Sequence, residues 1–309
     1  MSVMLVTGGA GFIGSHIAER LLELGHDLRI LDNFSTGRRE NLSSFEDGIE
    51  IIEADLRDVS SVERAVKGVE FVFHEAALAS VPRSVSDPVS CNEVNVTGTL
   101  NLLVASRGAG VRRVVYASSS SVYGDDPELP KRENMTPSPE SPYAVSKLAA
   151  ENYCRAFSSL YGLECVSLRY FNVFGPRQDP GSEYSAVVPL FLTALFEGRQ
   201  PVIYGDGEQS RDFTYVANVV DANILALSAD GAAGETFNIA CGCTATVNEL
   251  LSRLQGITGA SLTARHEDAR PGDVKHSFAD ISKAKDVLGL APKVSFEDGL
   301  TLTVDWFRS

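Results

Sequence analysis

Two textures of hydrophobic residues alternate along the first half of the chain. Short apolar runs rich in β-branched residues recur at 3–7, 28–32, 49–54, 69–74, 111–117 and 165–170, and segments with helical or loop character separate them. Runs that are apolar on both faces suit buried parallel strands, and the intervening segments supply the crossovers. The pattern predicts an α/β architecture with a doubly wound parallel sheet. After Tyr170 the rhythm breaks into loops rich in Gly and Pro (Gly175-Pro176, Asp179-Pro180-Gly181, Gly205-Asp206-Gly207) with short helices between them. This predicts a second, smaller α/β domain. A helix over 215–228 and a strand over 235–240 are expected to return to the first domain, which then comprises 1–171 and 212–241, the second taking 172–211 and 242–309.

Composition narrows the class. A chain of 309 residues with 44% hydrophobic content can bury a core large enough for two associated domains. With 41 acidic against 27 basic residues it carries a net charge of −14, which repels nucleic acid and anionic membrane, so an anionic ligand requires locally placed arginines. No apolar stretch approaches the roughly 20 residues that span a bilayer, and no charged leader precedes the first strand, so a cytoplasmic location is expected. The five cysteines are odd in number and lie mostly in apolar runs, as buried thiols rather than a disulfide framework. Cys241-Gly-Cys243 is too isolated for a metal site.

The first strand runs into TGGAGFIGSHIAERLLELGH, with Gly8, Gly11 and Gly14 at the turn into a helix. Such a turn brings main-chain N–H groups and a helix N-terminus to a pyrophosphate. Asp32 ends the second strand 18 residues beyond Gly14, where a carboxylate accepts from ribose hydroxyls and repels a 2′-phosphate. NAD is therefore favoured over NADP, although Arg38 and Arg39 stand nearby. Asp55 in EADLRD is either an acceptor for the adenine amine or a helix cap. Ala76 and Ala77 in FHEAALAS either let a cofactor lie close or simply pack tightly.

Two further stretches carry reactive groups. SPYAVSK places Tyr143 and Lys147 four apart on one helix face, where an ammonium beside a phenol is expected to draw its pKa from about 10 towards neutrality. Tyr143 is then a candidate general base. YASSSSVYG sets a row of serines at the carboxyl end of a strand, the edge at which open α/β sheets bind ligands.

Together the glycine turn, SSSSVYG, SPYAVSK, RYFNVFGPRQDP, SRDF and ARPGD make the chain resemble the extended short-chain dehydrogenases/reductases with a Rossmann domain, and among them the NAD-dependent UDP-hexose 4-epimerases that include UDP-N-acetylglucosamine 4-epimerases. The resemblance spans essentially the whole length. It implies Ser119, Tyr143 and Lys147 as the catalytic triad. It implies NAD contacts at Gly8, Gly11, Phe12, Ile13, Gly14, Asp32, Asn33, Asp55, Leu56, Ala76, Ala77, Asn95, Tyr143, Lys147 and Tyr170. For a UDP-sugar it implies Ser80, Ser119, Ser120, Ser121, Tyr143, Asn172, Gln178, Val187, Tyr204, Arg211, Arg270, Asp273 and Ser277. Tyr204 would lie against the uracil, Arg211 and Arg270 would meet the pyrophosphate, and Asp273 the uridine ribose. No metal is implied.

In the implied reaction Tyr143 takes the proton of the sugar 4-hydroxyl while hydride leaves carbon 4 for the nicotinamide. The 4-keto sugar turns over and hydride returns to its other face. Related 4,6-dehydratases carry an Asp-Glu pair where this chain has Ser120-Ser121, and UDP-glucuronate decarboxylases a glutamate at the position of Ser121; serines cannot run such an elimination. Ser277 stands where a tyrosine would exclude an N-acetyl group. Two other readings stay open: a UDP-uronic acid 4-epimerase, in which Arg83 would meet the carboxylate, and a non-catalytic NAD-sensing protein. The helices near 90–107 and 142–161 resemble the family's dimer-forming bundle, so a homodimer is expected.

Overall fold

The computed structural model describes residues 2–179, 187–268 and 275–308. Among them, the strands Val3–Thr7 (β1), Asp27–Asp32 (β2), Ile49–Glu53 (β3), Phe71–His74 (β4), Arg113–Ser119 (β5), Glu164–Tyr170 (β6) and Thr236–Ile239 (β7) form one parallel sheet. Their spatial order is β7-β6-β5-β4-β1-β2-β3. The runs expected from the sequence start or end within two residues of these strands. Val69 and Val111 lie just ahead of β4 and β5, buried without joining the ladder.

Period-two alternation divides the central strands between two cores. In β5, Val115 and Ala117 face one core and Val114 and Tyr116 the other. The first core takes Ile17, Ala18 and Leu21 from helix Phe12–Glu23 (α1). The second takes Val62 and Ala65 from Val59–Val66 (α2), Leu102 and Leu103 from Gly98–Ala109 (α3), and Ala150 and Cys154 from Pro142–Tyr161 (α4). Sequence order reverses between β1 and β4, so a crevice opens beyond their carboxyl ends, where doubly wound sheets receive ligands.

After β6 the chain builds a lobe of short elements. Strand Val202–Tyr204 pairs with Arg265–Glu267, and Ser210–Arg211 lies between Ala245–Thr246 and His276–Ser277. Helices Val187–Phe196 (α5), Val247–Thr258 (α7) and Phe296–Arg308 (α8) pack around them. Thr246 and Glu249 start α7 with a reciprocal capping box. Between these pieces the chain returns to the sheet: helix Val216–Ser228 (α6) contributes Val219 and Ala222 to the α1 side of the core, and β7 pairs with β6 from Thr236 opposite Ser167 to Ile239 opposite Tyr170. Among the described residues no helix is long and apolar enough to cross a membrane, and no cluster of three metal-ligating side chains occurs. The cysteines are free thiols; Cys91, Cys154 and Cys165 are buried, Cys241 is half-buried and Cys243 exposed.

Candidate active site

The turn after β1 is shaped by close approach. Gly8 has φ +67°, and a Cβ there would stand 2.7 Å from the Ala76 Cα. A Cβ on Gly14 would lie 2.2 Å from the Gly8 carbonyl oxygen, so only glycine lets α1 sit down on the strand. Beside this turn lies a cleft of about 340 Å³ lined by Gly8, Gly11, Phe12, Ile13, Gly14, Asp32, Asn33, Asp55, Leu56, Ala76 and Ala77. Asp32 is buried and accepts from the main-chain N–H of Ala10 at 2.9 Å and of Phe34 at 2.8 Å; burial raises its pKa and those bonds oppose the rise. Asp55 does not cap α2, a role taken by Asp58. It is held by Arg57 and by the Asn33 amide at 2.8 Å, and hydrogen bonding from Arg57 pulls its carboxyl down to about 2. Arg38 is engaged by Asp179 at 2.6 Å and Arg39 by Glu46 at 2.7 Å. The glycine cradle, the carboxylate at the end of β2 and the acceptor after β3 fit an adenine dinucleotide.

The serine row divides by function. Ser118 is buried and donates to Glu151. Ser119 ends β5; its hydroxyl accepts from the Ser121 N–H at 3.2 Å and hydrogen-bonds the Tyr143 phenol. Ser120 begins a single 3₁₀ turn that runs to Tyr123, and the Ser121 hydroxyl oxygen is buried with no protein partner. A buried orphan hydroxyl costs free energy unless a ligand satisfies it. Ser141 caps α4 and Pro142 opens it, which places Tyr143 in the first turn and Lys147 one turn further in. Lys147 is 4% exposed, donates to the Ala117 carbonyl at 2.7 Å and sits 5.8 Å from the centroid of the Tyr143 ring.

The electrostatics correct one expectation. Burial pushes Tyr143 up to about 12, against the Ser119 hydrogen bond, rather than down. The same burial draws Lys147 down to about 8. Desolvation is the largest cause for both groups.

A second cleft of about 480 Å³ is lined by Ser80, Asn172, Val187, Tyr204, Gln209 and Arg211 among others. Asn172 holds φ +36° and Arg177 φ +64°, and the Gln178 amide oxygen is buried without a partner. Positive φ outside glycine marks strain that folds retain chiefly at working sites. Ser277 is half-buried, opposite Arg211 in the small sheet, and its carbonyl accepts from the Asp212 N–H at 2.9 Å. Arg270 and Asp273 lie outside the described residues.

The Epimerase family, described as the NAD dependent epimerase/dehydratase family, matches residues 4–240. The chain belongs to it. A UDP-glucose 4-epimerase of Mycolicibacterium smegmatis is 43% identical over 309 residues, which covers 99% of this chain and 98% of that protein. Among solved structures, the UDP-N-acetylglucosamine 4-epimerase from Methanobrevibacter ruminantium M1 in complex with UDP-N-acetylmuramic acid superposes with TM-score 0.95 at 44% identity, covering 99% and 98% of the two chains. The Thermus thermophilus UDP-glucose 4-epimerase complex with NAD gives TM-score 0.91 at 42% identity, covering 99% of each chain.

In this NAD-dependent family member two expected cofactor residues stand behind the cleft wall. Asn95 is buried in a π-helical turn over Glu93–Thr97; it accepts from the Leu78 N–H at 2.8 Å and donates to the Ser146 hydroxyl at 3.0 Å. It fastens the loop after β4 to α4 instead of facing the cleft, and such π turns recur at working sites. Tyr170 reaches the cleft only through Glu75, to which its hydroxyl donates at 2.8 Å. A wholly buried chain of side chains carries no local sequence signal. Thr99 donates to the Asn95 carbonyl at 2.6 Å, which leaves its oxygen to accept from His74 Nε2 at 2.8 Å. His74 Nδ1 is then the acceptor for Thr7 at 2.7 Å, and burial holds this imidazole neutral with a pKa of about 3. The chain ties the end of β1 to the π turn. Thr7, His74 and Thr99 are far apart in the sequence, and their meeting depends on the β1–β4 pairing.

Proposed function

We propose that this isomerase is a UDP-sugar 4-epimerase that interconverts UDP-GlcNAc and UDP-GalNAc as well as UDP-glucose and UDP-galactose, as a cytoplasmic homodimer. The observation that carries the reading is the convergence of Ser119, Tyr143 and Lys147 at the sheet edge, in a chain that also carries a dinucleotide cleft and a second cleft lined by Tyr204 and Arg211. Ser120 and Ser121 follow Ser119 in the chain, hydroxyls at the two positions where elimination of water would need a carboxylic acid.

When bound, NAD would supply the hydride acceptor for carbon 4. Tyr143 takes the proton of the sugar 4-hydroxyl and returns it after the sugar has turned over. Lys147 holds the ammonium that favours the phenolate, and Ser119 donates to the sugar 4-oxygen as its proton leaves. Ser121 and Gln178 each present a buried unpartnered oxygen that a sugar hydroxyl can satisfy. Arg211 lines the second cleft, and a guanidinium fork suits a diphosphate on a strongly acidic protein.

Ser277 is small where a tyrosine would close the space for a 2-acetamido group, and likeness to a protein named a UDP-N-acetylglucosamine 4-epimerase supports the same reading. The homodimer is supported by exposed apolar side chains on the helices beside the site, Val85, Val89, Val104, Val145, Tyr153 and Leu160. Incubating the purified protein separately with UDP-GlcNAc, UDP-glucose and UDP-glucuronate, and resolving the products, tests the assignment. Conversion of only the uronate would replace it with the uronic acid reading, and no conversion of any with NAD bound would favour a sensor.

A further inference from the structure

Glu75 carries a side chain that the proposed reaction leaves unused. It follows β4 in FHEAALAS, a polar residue among apolar and small ones, and lines the dinucleotide cleft beside Ala76 and Ala77. The Tyr170 hydroxyl meets Glu75 Oε1 at 2.8 Å. The phenol proton has two acceptors in reach, Glu75 Oε1 and, at 3.2 Å, Asn223 Oδ1. The Asn223 amide nitrogen donates to the Val219 carbonyl at 2.9 Å and to the Tyr170 oxygen at 2.8 Å, so the proton goes to the nearer acceptor, Glu75. Oε1 is therefore an acceptor, and the second oxygen takes no hydrogen bond from the described residues. No salt bridge from the described residues reaches it; Lys147 donates to the Ala117 carbonyl and acts on Glu75 only as a nearby charge.

We propose that Glu75 is a positioning residue for the cofactor that works as a neutral carboxylic acid, accepting from Tyr170 on one oxygen and offering the O–H of the other to the bound dinucleotide. The proposal rests on the reading that this cleft holds NAD. An ionised carboxylate with a single hydrogen bond and no paired cation is poorly placed in the wall of a cleft that must take a diphosphate. It would also oppose the phenolate, since a negative Glu75 raises the pKa of Tyr143. A neutral carboxyl removes both conflicts and adds a donor.

The groups that face Glu75 are Tyr170 from β6, Tyr116 from β5, and Tyr143 and Lys147 from α4. Burial pushes the Glu75 carboxyl up to about 7, against the Tyr170 hydrogen bond and the Lys147 charge. A cofactor that displaces water and brings negative phosphates raises it further. NAD binding at neutral to alkaline pH must then take up a proton, and by linkage NAD affinity falls as pH rises above about 7.

The test is calorimetric titration of the full-length protein, freed of cofactor, with NAD between pH 6 and 9 in buffers of different protonation enthalpy. Wild type is expected to take up protons and to lose affinity by roughly tenfold per pH unit above the apo pKa. Glu75→Gln, a permanent neutral analogue, is expected to lack that uptake and that slope and to bind NAD about tenfold tighter than wild type one pH unit above the apo pKa. The nicotinamide cation acts oppositely on Lys147, releasing a proton, and does so in both proteins, so their difference isolates Glu75. Equal uptake and equal slopes would overturn the proposal. In the NAD-loaded proteins, the infrared C=O stretch of a protonated carboxyl should be present in wild type and absent from Glu75→Gln; identical spectra would also overturn it. Asp32→Ala separates the two levels of inference. NAD binding indifferent to Asp32→Ala overturns the cofactor reading and this proposal with it, whereas binding sensitive to Asp32 but blind to Glu75→Gln overturns this proposal alone.

Discussion

Helix α4 carries two buried charges one turn apart, Lys147 and Glu151, and the protein treats them in opposite ways. Glu151 is gripped on both oxygens by Arg169, at 2.9 and 2.8 Å, and receives Ser118 as well. Each side chain of that pair is 5% exposed. Lys147 is as deeply buried but has no carboxylate partner, and burial draws it down to about 8. A buried charge with its counter-ion and hydrogen bonds complete is fixed in one protonation state and serves the fold. A buried charge left half-satisfied remains responsive to what arrives in the cleft. On the proposed function, one face of one helix holds a structural charge and a working one.

The sharpest break of that comparison is the group that Lys147 serves. Tyr143→Phe removes the proposed proton acceptor and almost no volume, and turnover is expected to fall by at least about 10³-fold with NAD retained; epimerisation within a few-fold of wild type would end the assignment. The two charges themselves come next. Glu151→Ala strands Arg169 and should cost about 3–5 kcal/mol in denaturant unfolding, with activity per folded molecule largely kept. Lys147→Met should do the reverse, with activity lost by about 10²-fold or more and stability at pH 7 unchanged or raised by up to about 2 kcal/mol. The sign follows from a base whose folded pKa is depressed. Below about 8 the fold bears the cost of the buried ammonium, and between about 8 and the ordinary lysine value of 10.5 wild type regains stability as the unfolded chain binds more protons. The gap between Lys147→Met and wild type should therefore shrink as pH climbs through that window, and a constant gap would show that Lys147 is not titrating there.

Asp32 is an intermediate case, a buried carboxylate held by two main-chain N–H groups and by no cation. Asp32→Ala is expected to erase most of the preference for NAD over NADP in paired titrations, a change on the order of 100-fold. An unchanged ratio would assign the preference elsewhere. Ser277 has no charge at all and should give the smallest effect. Ser277→Tyr is expected to slow the N-acetylated pair by about 1–3 kcal/mol, roughly 5- to 150-fold, and to spare the plain hexoses. Equal loss on both pairs would remove Ser277 as the gate.

What the sequence disclosed follows the same division. Gly8, Gly11 and Gly14 were legible because a tight turn restricts residue type at a fixed spacing, and Tyr143 and Lys147 because a helix repeats every three to four residues. The doubly wound sheet was legible from apolar runs that both faces bury. The protonation state of Tyr143 was not, because it depends on how much water the folded site excludes, a quantity no local spacing carries. Glu75 has no signal of its own within FHEAALAS, since one carboxyl at a strand end acquires meaning only when Tyr170 and Asn223 arrive from distant segments. Asn95 was expected in the cofactor site but its side chain is occupied by Leu78 and Ser146, partners set by the π turn and by α4.

The placement of β7 bears on how the protein is made. Its pairing partner β6 is buried along nearly its whole length, yet the residues that cover it, Thr236–Ile239, are synthesised only after the chain has detoured through the second lobe. While a nascent chain emerges, or in any fragment ending before Thr236, β6 presents an apolar, unprotected strand edge, the kind of surface that recruits other strands into aggregates. The six-stranded half is therefore expected to be a poor candidate for isolation, despite containing the entire glycine turn. Soluble expression should rise abruptly once truncations extend past Ile239.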